Sequence, residues 1–258
     1  MLELFRHIAL AAGEVIMNVY NDQMCVTVKD DRSPVTEADR RAEALILSEL
    51  NRFAPDIPVV AEEEVAAGRV PKLARDTFIL VDPLDGTKEF IGRRPDFTVN
   101  LALVESNVPI AGVVYAPAQR VMYSGSGGIA EKSTFGENTV LCTRKRISTR
   151  PRAEALVAVA SRSHSSPETL AFLAEEGVTN YRSVGSSLKF CLVAEGEADV
   201  YPRFGRTMEW DTAAGDAVLR AAGGRTVTVD GAPLSYGKCN QASDDDFANP
   251  SFIGWGQA

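Results

Sequence analysis

Apolar residues recur every three or four positions through the start of the chain, which is the spacing that places them on one face of an α-helix. This pattern predicts an amphipathic helix over residues 2–19. A second helix is expected to start after Thr36 and to run to about Asn51, because Asp39 follows Thr36 by three residues as in a capping box. The polar face of the first helix is not basic, which argues against a membrane-surface role for it.

Short apolar runs follow the second helix and predict strands. The runs "IPVVAEEE" and "TFILVDP" both end in carboxylates and are separated by one loop, so we expect their strands to be neighbours. Further strands are expected in "DFTVNLALVES", "VPIAGVVYAP" and "RVMYSGSGG". Up to about residue 145 the pattern therefore predicts two helices against an antiparallel or mixed sheet.

Strands and helices alternate more regularly in the second half, which is the order of an α/β layer. The predicted strands are "ALVAVA", "TNYRSVGSS", "DVYPRF" and "RTVTV", and the predicted helices are "SPETLAFLAEEG", "LKFCLVAEGEA" and "DTAAGDAVLRAAGG". The stretch "TRKRISTRP" between the halves is interpreted as a small basic loop. We therefore expect two tightly packed subdomains, residues 1–145 and residues 146–258, in a chain that combines α+β and α/β architecture.

Composition narrows the class of protein. The 258 residues, 45% hydrophobic and 24% charged, are typical of a globular protein with a substantial core. The chain has no apolar run of about 18 residues, and its first residues do not form a secretion signal. Its four cysteines are scattered, which fits a reducing compartment. We expect a cytoplasmic protein without a transmembrane segment, peripheral on the inner face of the membrane at most.

Charge restricts the partners. The net charge of −8 argues against a nucleic acid polymer, which would require a basic surface. It is compatible with a small phosphorylated ligand, because carboxylates bind phosphate once divalent cations occupy them. The two histidines, His7 and His164, supply too few groups for a histidine triad or a histidine-rich zinc site.

Carboxylates stand at the ends of the predicted elements. Asp82 and Asp85 flank a proline in "VDPLDGT", Asp211 begins a predicted helix, and residues 62–64 are all glutamates. Oxygen ligands of this kind are those that Mg²⁺ prefers. Each group also has an ordinary interpretation: an acidic turn, a helix cap and a solvated loop. Spacing alone leaves the metal site and these interpretations open.

The three acidic motifs together carry a resemblance. "AEEE", "VDPLDGT" and "WDTAAGDAVLRAAGG", in that order, are similar to the signatures of the Mg²⁺-dependent, lithium-sensitive phosphatases of the inositol monophosphatase superfamily. Within it, "DPLDGTKEFI", "GVVYAP", "VGSSLKFCLVAEGEADVYPRFG" and "NPSF" resemble the 3'(2'),5'-bisphosphate nucleotidases of the CysQ type. The resemblance covers essentially the whole chain. It implies a layered αβαβα sandwich of the inositol monophosphatase and sugar phosphatase type.

The resemblance also implies metal ligands and a way to activate water. Two or three Mg²⁺ ions, open to inhibition by Li⁺, would be held by Glu63, Asp82, the Leu84 carbonyl, Asp85 and Asp211. The third glutamate leaves the register within residues 62–64 open, and Ala61 stands where the family often has serine. Glu63, with a pair formed by Thr87 and Asp39, would hold and deprotonate the attacking water. The first subdomain would thus carry most of the ligands, and the second would carry Asp211.

Substrate residues follow from the same comparison of motifs. The scissile phosphate would meet the Asp85–Gly86–Thr87 backbone, where a glycine permits close approach and a helix start favours an anion. Gly185, Ser186, Lys189 and Arg203 in the second subdomain would hold the other phosphate of a bisphosphate. Surface cations are the ordinary alternative for Lys189 and Arg203. His164 matches a family position near the nucleotide, with an ordinary loop histidine as the alternative. Tyr201 and Phe190 border the base or pack in the core, and the core is preferred for Phe190.

The implied activity is removal of the 3'-phosphate of adenosine 3',5'-bisphosphate, which clears a by-product of sulfate activation. The alternative is the same chemistry on another small ester, as in inositol monophosphatase or fructose-1,6-bisphosphatase. A catalytically silent phosphate-binding protein is a third hypothesis, disfavoured because every expected ligand is present. The sequence is compatible with a monomer or a homodimer.

Overall fold

The computed structural model describes residues 1–21, 26–28, 34–73, 76–152, 154–161, 166–178 and 180–257. The helices in these ranges are α1 (Leu2–Asn21), α2 (Glu37–Phe53), α3 (Glu62–Ala66), α4 (Thr87–Ile91), α5 (Pro167–Glu175), α6 (Leu188–Ala194) and α7 (Glu209–Ala221). The strands are β1 (Val26–Val28), β2 (Pro34–Thr36), β3 (Val59–Ala61), β4 (Thr77–Asp85), β5 (Thr98–Glu105), β6 (Val108–Ala116), β7 (Val121–Ser126), β8 (Ile129–Phe135), β9 (Leu141–Ile147), β10 (Val157–Ser161), β11 (Asn180–Val184), β12 (Val200–Arg203), β13 (Arg225–Thr228) and β14 (Phe252–Trp255).

Strands β3 to β9 form one sheet in the order in which they occur along the chain. Strands β3 and β4 are parallel, with Ala61 opposite Val81, and the remaining neighbours are antiparallel. The expectation that the two carboxylate-ended strands are neighbours is therefore confirmed. The strand before the glutamates ends at Ala61, however, and the three glutamates begin α3 rather than end β3.

Strands β10 to β14 form a second, mixed sheet in the order β11, β10, β12, β14, β13. Strand β10 is parallel to both of its neighbours, whereas β14 is antiparallel to β12 and β13. The alternation of strands and helices in the second half of the sequence predicted this layer. The closing strand β14 was not among the predicted elements.

The elements stack in five layers. Helices α1 and α2 pack on one face of the seven-stranded sheet, and α7 packs on its other face beside α6. Helix α6 also contacts β10 and β12 of the second sheet, and α5 contacts β12. Buried apolar residues fill each space between these layers. The predicted αβαβα sandwich is therefore confirmed.

Helix α7 lies very close to the first sheet because small residues meet at the contact. A Cβ added at Gly112 of β6 would lie 2.6 Å from the Ala214 oxygen, and one at Gly125 of β7 would lie 2.7 Å from the Val218 Cα. On the opposite side of α7, a Cβ at Gly215 would lie 2.5 Å from a ring carbon of Phe190. The run "TAAGDA" therefore wedges α7 between the sheet and α6, which fixes where its first turn lies.

Two predictions about the middle of the chain need correction. Residues 143–147 of "TRKRISTRP" are not a loop, because they belong to β9 at the edge of the first sheet. Most of β9 is exposed, so its sequence lacks the apolar alternation that marks a half-buried strand. It runs to Ile147, two residues past the predicted subdomain boundary.

Among the described residues, no helix is both long enough and apolar enough to span a membrane.

Candidate active site

A cavity of about 250 Å³ opens between the end of β4 and the second half of the chain. Its walls include most of the residues singled out in the sequence: Asp82, Leu84, Asp85, Gly86, Thr87, Gly185, Ser186, Lys189, Arg203 and Asp211. Glu62, Lys88, Glu89, Ser161, Ser187, Tyr201, Arg206, Thr207 and Thr212 complete the lining. Residues more than a hundred positions apart in the sequence thus face one space.

The end of β4 is bent around Pro83. Three residue steps on β4, from Asp82 to Asp85, face two steps on β5, so the ladder contains a bulge. The Leu84 N–H donates to Asp82 Oδ1 at 3.0 Å. Thr87 Oγ1 lies 3.3 Å from the Leu84 carbonyl oxygen. Asp82, Leu84 and Asp85 in this bent segment all line the cavity.

Asp211 lies in the first turn of α7 and caps it, since its Oδ2 accepts from the Met208 N–H at 2.8 Å. The capping interpretation of this residue is thus correct, and Asp211 lines the cavity as well. Burial, together with the charges of Asp85 and Glu62, raises the pKa of Asp211 to about 8. The capping hydrogen bond fixes the Asp211 side chain at the N-terminus of α7, and the residue still lines the cavity.

The three consecutive glutamates have different surroundings. Glu62 lines the cavity, and its charge helps to raise the pKa values of Asp82 and Asp211 after burial, the largest cause. The Glu63 N–H donates to Glu43 Oε2 on α2 at 2.8 Å. Glu64 is bound to Arg69 through two hydrogen bonds, of 2.7 and 2.6 Å. The structure therefore places Glu62 on the wall, where the resemblance had pointed to Glu63 in an open register.

Asp39 contacts both Thr36, at the start of α2, and Thr87, in the cavity wall. Its Oδ2 accepts from the Thr36 N–H at 2.7 Å and from the Thr36 hydroxyl at 2.6 Å, which confirms the predicted capping box. Its Oδ1 lies 3.3 Å from Thr87 Oγ1. Burial, and to a smaller extent the charge of Glu63, raises the pKa of Asp39. The predicted pair of Thr87 and Asp39 is thus in contact, with Glu63 close to it.

A turn in the second half of the chain, residues 185–187, packs against Asp85. The Ser187 N–H donates to Asp85 Oδ2 at 2.6 Å, and Ser187 Oγ donates to Asn100 Oδ1 at 2.7 Å. A Cβ at Gly185 would lie 2.7 Å from Glu89 Cγ, so this position has no room for a side chain. Ser187 and Asn100 were not among the residues predicted for the site, although Ser187 follows Ser186 in "VGSS". The turn couples the two halves of the chain directly at Asp85.

Lys189 and Arg203 are buried cations, with 5% and 7% of their surface exposed, so the surface-cation alternative is wrong for both. Lys189 Nζ donates to the Ser186 carbonyl oxygen and lies 5.2 Å from the centre of the Tyr201 ring. Burial lowers the pKa of Lys189 to about 8, against the opposing charge of Asp85. The Arg203 Nε–H is buried, and no group in the described part of the chain accepts a hydrogen bond from it. This part of the wall is suited to a desolvated anion.

The aromatic residues beside these cations divide their roles. Phe190 packs in the core against Tyr201 and Phe252, as preferred from the sequence. Tyr201 is buried too, but it also lines the cavity. His164 lies outside the described residues.

The acidic side of the cavity suits divalent cations. Asp82, Asp85 and Asp211 are all acidic groups whose pKa is raised, chiefly by burial and then by neighbouring carboxylates, except that Lys189 and hydrogen bonds partly offset the rise at Asp85. Such repulsion between buried carboxylates is relieved when a cation binds among them. The donors are all oxygen atoms, as Mg²⁺ prefers. Within the described residues, no group of three or more acidic, histidine or cysteine side chains is arranged to hold a single ion.

The sequence matches the profile of the inositol monophosphatase family over residues 1–248, so the chain belongs to this family of metal-dependent phosphatases. Its likeness is stronger to one branch. It is 46% identical over 254 residues, 98% of both chains, to the Escherichia coli K12 protein named 3'(2'),5'-bisphosphate nucleotidase CysQ.

Solved structures agree with this placement. The crystal structure of CysQ from Bacteroides thetaiotaomicron, described as a bacterial member of the inositol monophosphatase family, is 40% identical, with a TM-score of 0.80. That match covers 100% of this chain and 97% of the other. The Thermotoga maritima IMPase is 27% identical, with a TM-score of 0.74 over 96% of this chain and 89% of the other.

Proposed function

We propose that the protein is a phosphoric monoester hydrolase that removes the 3'-phosphate of adenosine 3',5'-bisphosphate and releases AMP and phosphate. The observation that carries this proposal is the pairing of two chemically different walls in one cavity. One wall holds the carboxylates of Asp82, Asp85 and Asp211, and the other holds the buried cations Lys189 and Arg203. A substrate with two phosphates can use both walls at once.

The cation that fits the first wall is Mg²⁺, and we propose two or three ions. Asp82, the Leu84 carbonyl, Asp85 and Asp211 would hold them. Glu62 is the proposed glutamate ligand because it lines the cavity, while Glu63, close to Asp39, keeps the proposed role in holding water. When bound, the ions would stabilise the charge of the phosphoryl group and lower the pKa of a bound water.

The contribution of the chain to water activation is orientation. Asp39 is fixed by two hydrogen bonds from Thr36, and the Thr87 hydroxyl lies 3.3 Å from both Asp39 Oδ1 and the Leu84 carbonyl oxygen, the two acceptors for its one proton. Because a hydroxyl has one proton and two lone pairs, Thr87 can still accept a hydrogen bond from a water in the cavity. These two acceptors thus set the direction in which Thr87 accepts, and Glu63 adds a nearby base.

Recognition of the nucleotide falls to the second wall. Lys189, Arg203, Ser186 and the close-packed Gly185 are proposed to hold the phosphate that is not cleaved, and the backbone of residues 85–87 to hold the scissile one. Arg203 lines the cavity, and its planar guanidinium is suited to binding phosphate oxygens. His164 is proposed as a further contact on the sequence resemblance alone.

A substrate panel with phosphate detection, run with and without Mg²⁺, tests the proposal. Adenosine 3',5'-bisphosphate is expected to be hydrolysed with a higher kcat/KM than inositol 1-phosphate or fructose 1,6-bisphosphate, and only with the cation. Faster turnover of either alternative ester would assign the protein to that activity instead. Absence of turnover on every ester would favour a silent phosphate-binding protein.

The setting of the reaction is part of the same proposal. We infer a cytoplasmic enzyme, peripheral on the inner face of the membrane at most, that clears a by-product of sulfate assimilation. Inhibition by Li⁺ is proposed from the family resemblance, and a monomer and a homodimer fit equally. Two subdomains, residues 1–147 and 148–258 when all of β9 is kept with the first sheet, are the proposed units that enclose the substrate.

A further inference from the structure

Arg203 is oriented by the backbone of a nearby residue. Its Nη2 donates to the Arg206 carbonyl oxygen at 2.9 Å, and the residue lines the cavity. A guanidinium is rigid and planar, so fixing one nitrogen also fixes the direction of the others. The orientation of the guanidinium at the cavity wall therefore depends on where the Arg206 carbonyl lies.

The Arg206 side chain is itself anchored to a distant loop. Its Nη1 is bound to Asp244 and its Nη2 to Asp245, the second at 2.5 Å, across 38 and 39 positions of sequence. We call these three residues the Arg206 latch. Both contacts are ion pairs between oppositely charged groups, and Arg206 is also part of the cavity lining.

The backbone between Arg203 and Arg206 supports this dependence. Gly205 lies beside the Arg203 side chain, where an added Cβ would be in ordinary contact with the guanidinium carbon at 3.5 Å. On the other side, the Asn249 N–H donates to the Thr207 carbonyl oxygen at 2.9 Å. The segment is thus tied to the C-terminal loop at two successive residues, and the latch is the tie at the residue whose carbonyl meets Arg203.

We propose that Arg206, held by Asp244 and Asp245, is a positioning residue that preorganises Arg203 for the phosphate that is not cleaved. The inference rests on the proposed function and deepens it, because it assigns part of the bisphosphate preference to an ion pair at the cavity rim. Without the latch, Arg203 would have to be ordered when the substrate binds, which weakens binding. Arg206 acts through its carbonyl, and its guanidinium is engaged by the two aspartates.

Two variants separate positioning from direct contact. Arg206→Ala removes the cation, whereas the double change Asp244→Asn with Asp245→Asn removes the carboxylates and leaves the cation. If Arg206 only positions Arg203, both variants weaken binding. If the Arg206 guanidinium contacted phosphate itself, freeing it from two competing carboxylates would tighten binding in the double variant.

The experiment measures kcat and KM on adenosine 3',5'-bisphosphate and on adenosine 3'-monophosphate, which lacks the second phosphate. Both variants should raise KM for the bisphosphate about three- to fivefold, the upper part of the range for loss of a partly exposed ion pair, with kcat within about twofold. The preference for bisphosphate over monophosphate should fall by the same factor. Arg152→Ala, which removes another exposed arginine paired with a carboxylate, is the matched control and should change neither.

Calorimetric binding of AMP provides a readout that does not depend on turnover, because AMP carries the phosphate assigned to Arg203. Both variants should bind AMP about three- to fivefold more weakly, with unchanged thermal unfolding temperatures. A lower KM in the double variant, an unchanged KM in both, or equal losses on both substrates would overturn the latch. If the wild-type protein did not hydrolyse the bisphosphate, and Arg206→Ala still weakened AMP binding, the proposed function would be refuted and the latch would be supported.

Discussion

Glu62, Glu63 and Glu64 are consecutive, yet one lines the cavity, one is tied through its backbone to α2, and one pairs with Arg69. A helix turns by about 100° per residue, so neighbours on α3 necessarily face different ways. The three side chains are chemically identical, so the rotation from one residue to the next within a single helical turn determines which of them lines the cavity.

This difference gives a matched prediction. Glu62→Gln should lower kcat/KM in Mg²⁺ by at least about a hundredfold, the size of effect expected when a metal-site carboxylate is lost. Glu64→Gln should leave kcat/KM within about twofold, because an exposed ion pair contributes little. Steady-state kinetics at several Mg²⁺ concentrations measures both. Equal losses in the two variants would contradict the placement of Glu62.

The buried carboxylate of Asp82 is expected to be needed for activity and to destabilise the metal-free fold. It is 1% exposed, and burial and then the charges of Glu62, Asp85 and Asp211 raise its pKa. Asp82→Asn keeps an acceptor for the Leu84 N–H but removes a buried negative charge. We expect it to abolish phosphate release and, in EDTA, to raise the free energy of unfolding by about 1 kcal/mol.

Thermal unfolding in EDTA checks the stability effect of Asp82→Asn, and phosphate release in Mg²⁺ checks the activity. Asp56→Asn, at an exposed position, is the control and should change neither. A destabilised Asp82→Asn protein would show that the carboxylate makes a net favourable contribution in the metal-free state.

At the scale of elements, the position of Asp211 depends on how closely α7 approaches its neighbours. The helix is lined by alanine and glycine where it meets the sheet and α6, so a single added methyl group has no free space. Asn249 adds a second restraint, because its Nδ2 donates to the Met208 carbonyl at 2.8 Å and to Thr212 Oγ1 at 3.0 Å. The first turn of α7 is thereby fixed from two sides.

Gly215→Ala tests the packing of α7. The new Cβ would meet the Phe190 ring, so we expect a loss of about 1–3 kcal/mol in the free energy of unfolding, despite the better helix propensity of alanine. Denaturant unfolding measures it. In Gly256→Ala the nearest atom to the new Cβ is at an ordinary 3.5 Å, and the loss should be clearly smaller. A stabilised Gly215→Ala protein would show that α7 can shift freely.

At the scale of the whole molecule, the acidic wall is assembled from both halves of the chain. Asp82 and Asp85 come from β4, and Asp211 comes from α7 in the second half. Asp85 also accepts a hydrogen bond from the Ser187 N–H, so the two halves of the chain are in contact at the acidic wall. A cation bound by all three aspartates would therefore link elements that are far apart in sequence.

Mg²⁺ is accordingly expected to stabilise the fold as well as to support activity. A ligand that binds only the folded state at about 100 times its Kd contributes about 2.7 kcal/mol, which appears as a higher unfolding temperature. Differential scanning fluorimetry with Mg²⁺ and then EDTA should show a reversible rise that is absent in Asp82→Asn. Activity retained in excess EDTA would contradict the metal assignment.

The sequence by itself determined the features whose causes lie within a few residues. The period of apolar positions predicted α1 and α2, and the Thr36–Asp39 spacing predicted the capping box because both partners lie in one turn. The turn around Pro83 and the small-residue run after Asp211 were visible for the same reason. The order of strands and helices, together with the motif resemblance, was sufficient for the layered architecture.

Only the tertiary structure decided which side chains face the cavity. The choice of Glu62, the contact of Ser187 with Asp85 and the Arg206 latch join residues that no local pattern relates. The exposed strand β9 was missed because edge strands need no apolar alternation. The physical reason is the same throughout: local hydrogen bonding and periodicity act within a turn or a strand, whereas the direction of a side chain depends on the packing of distant elements.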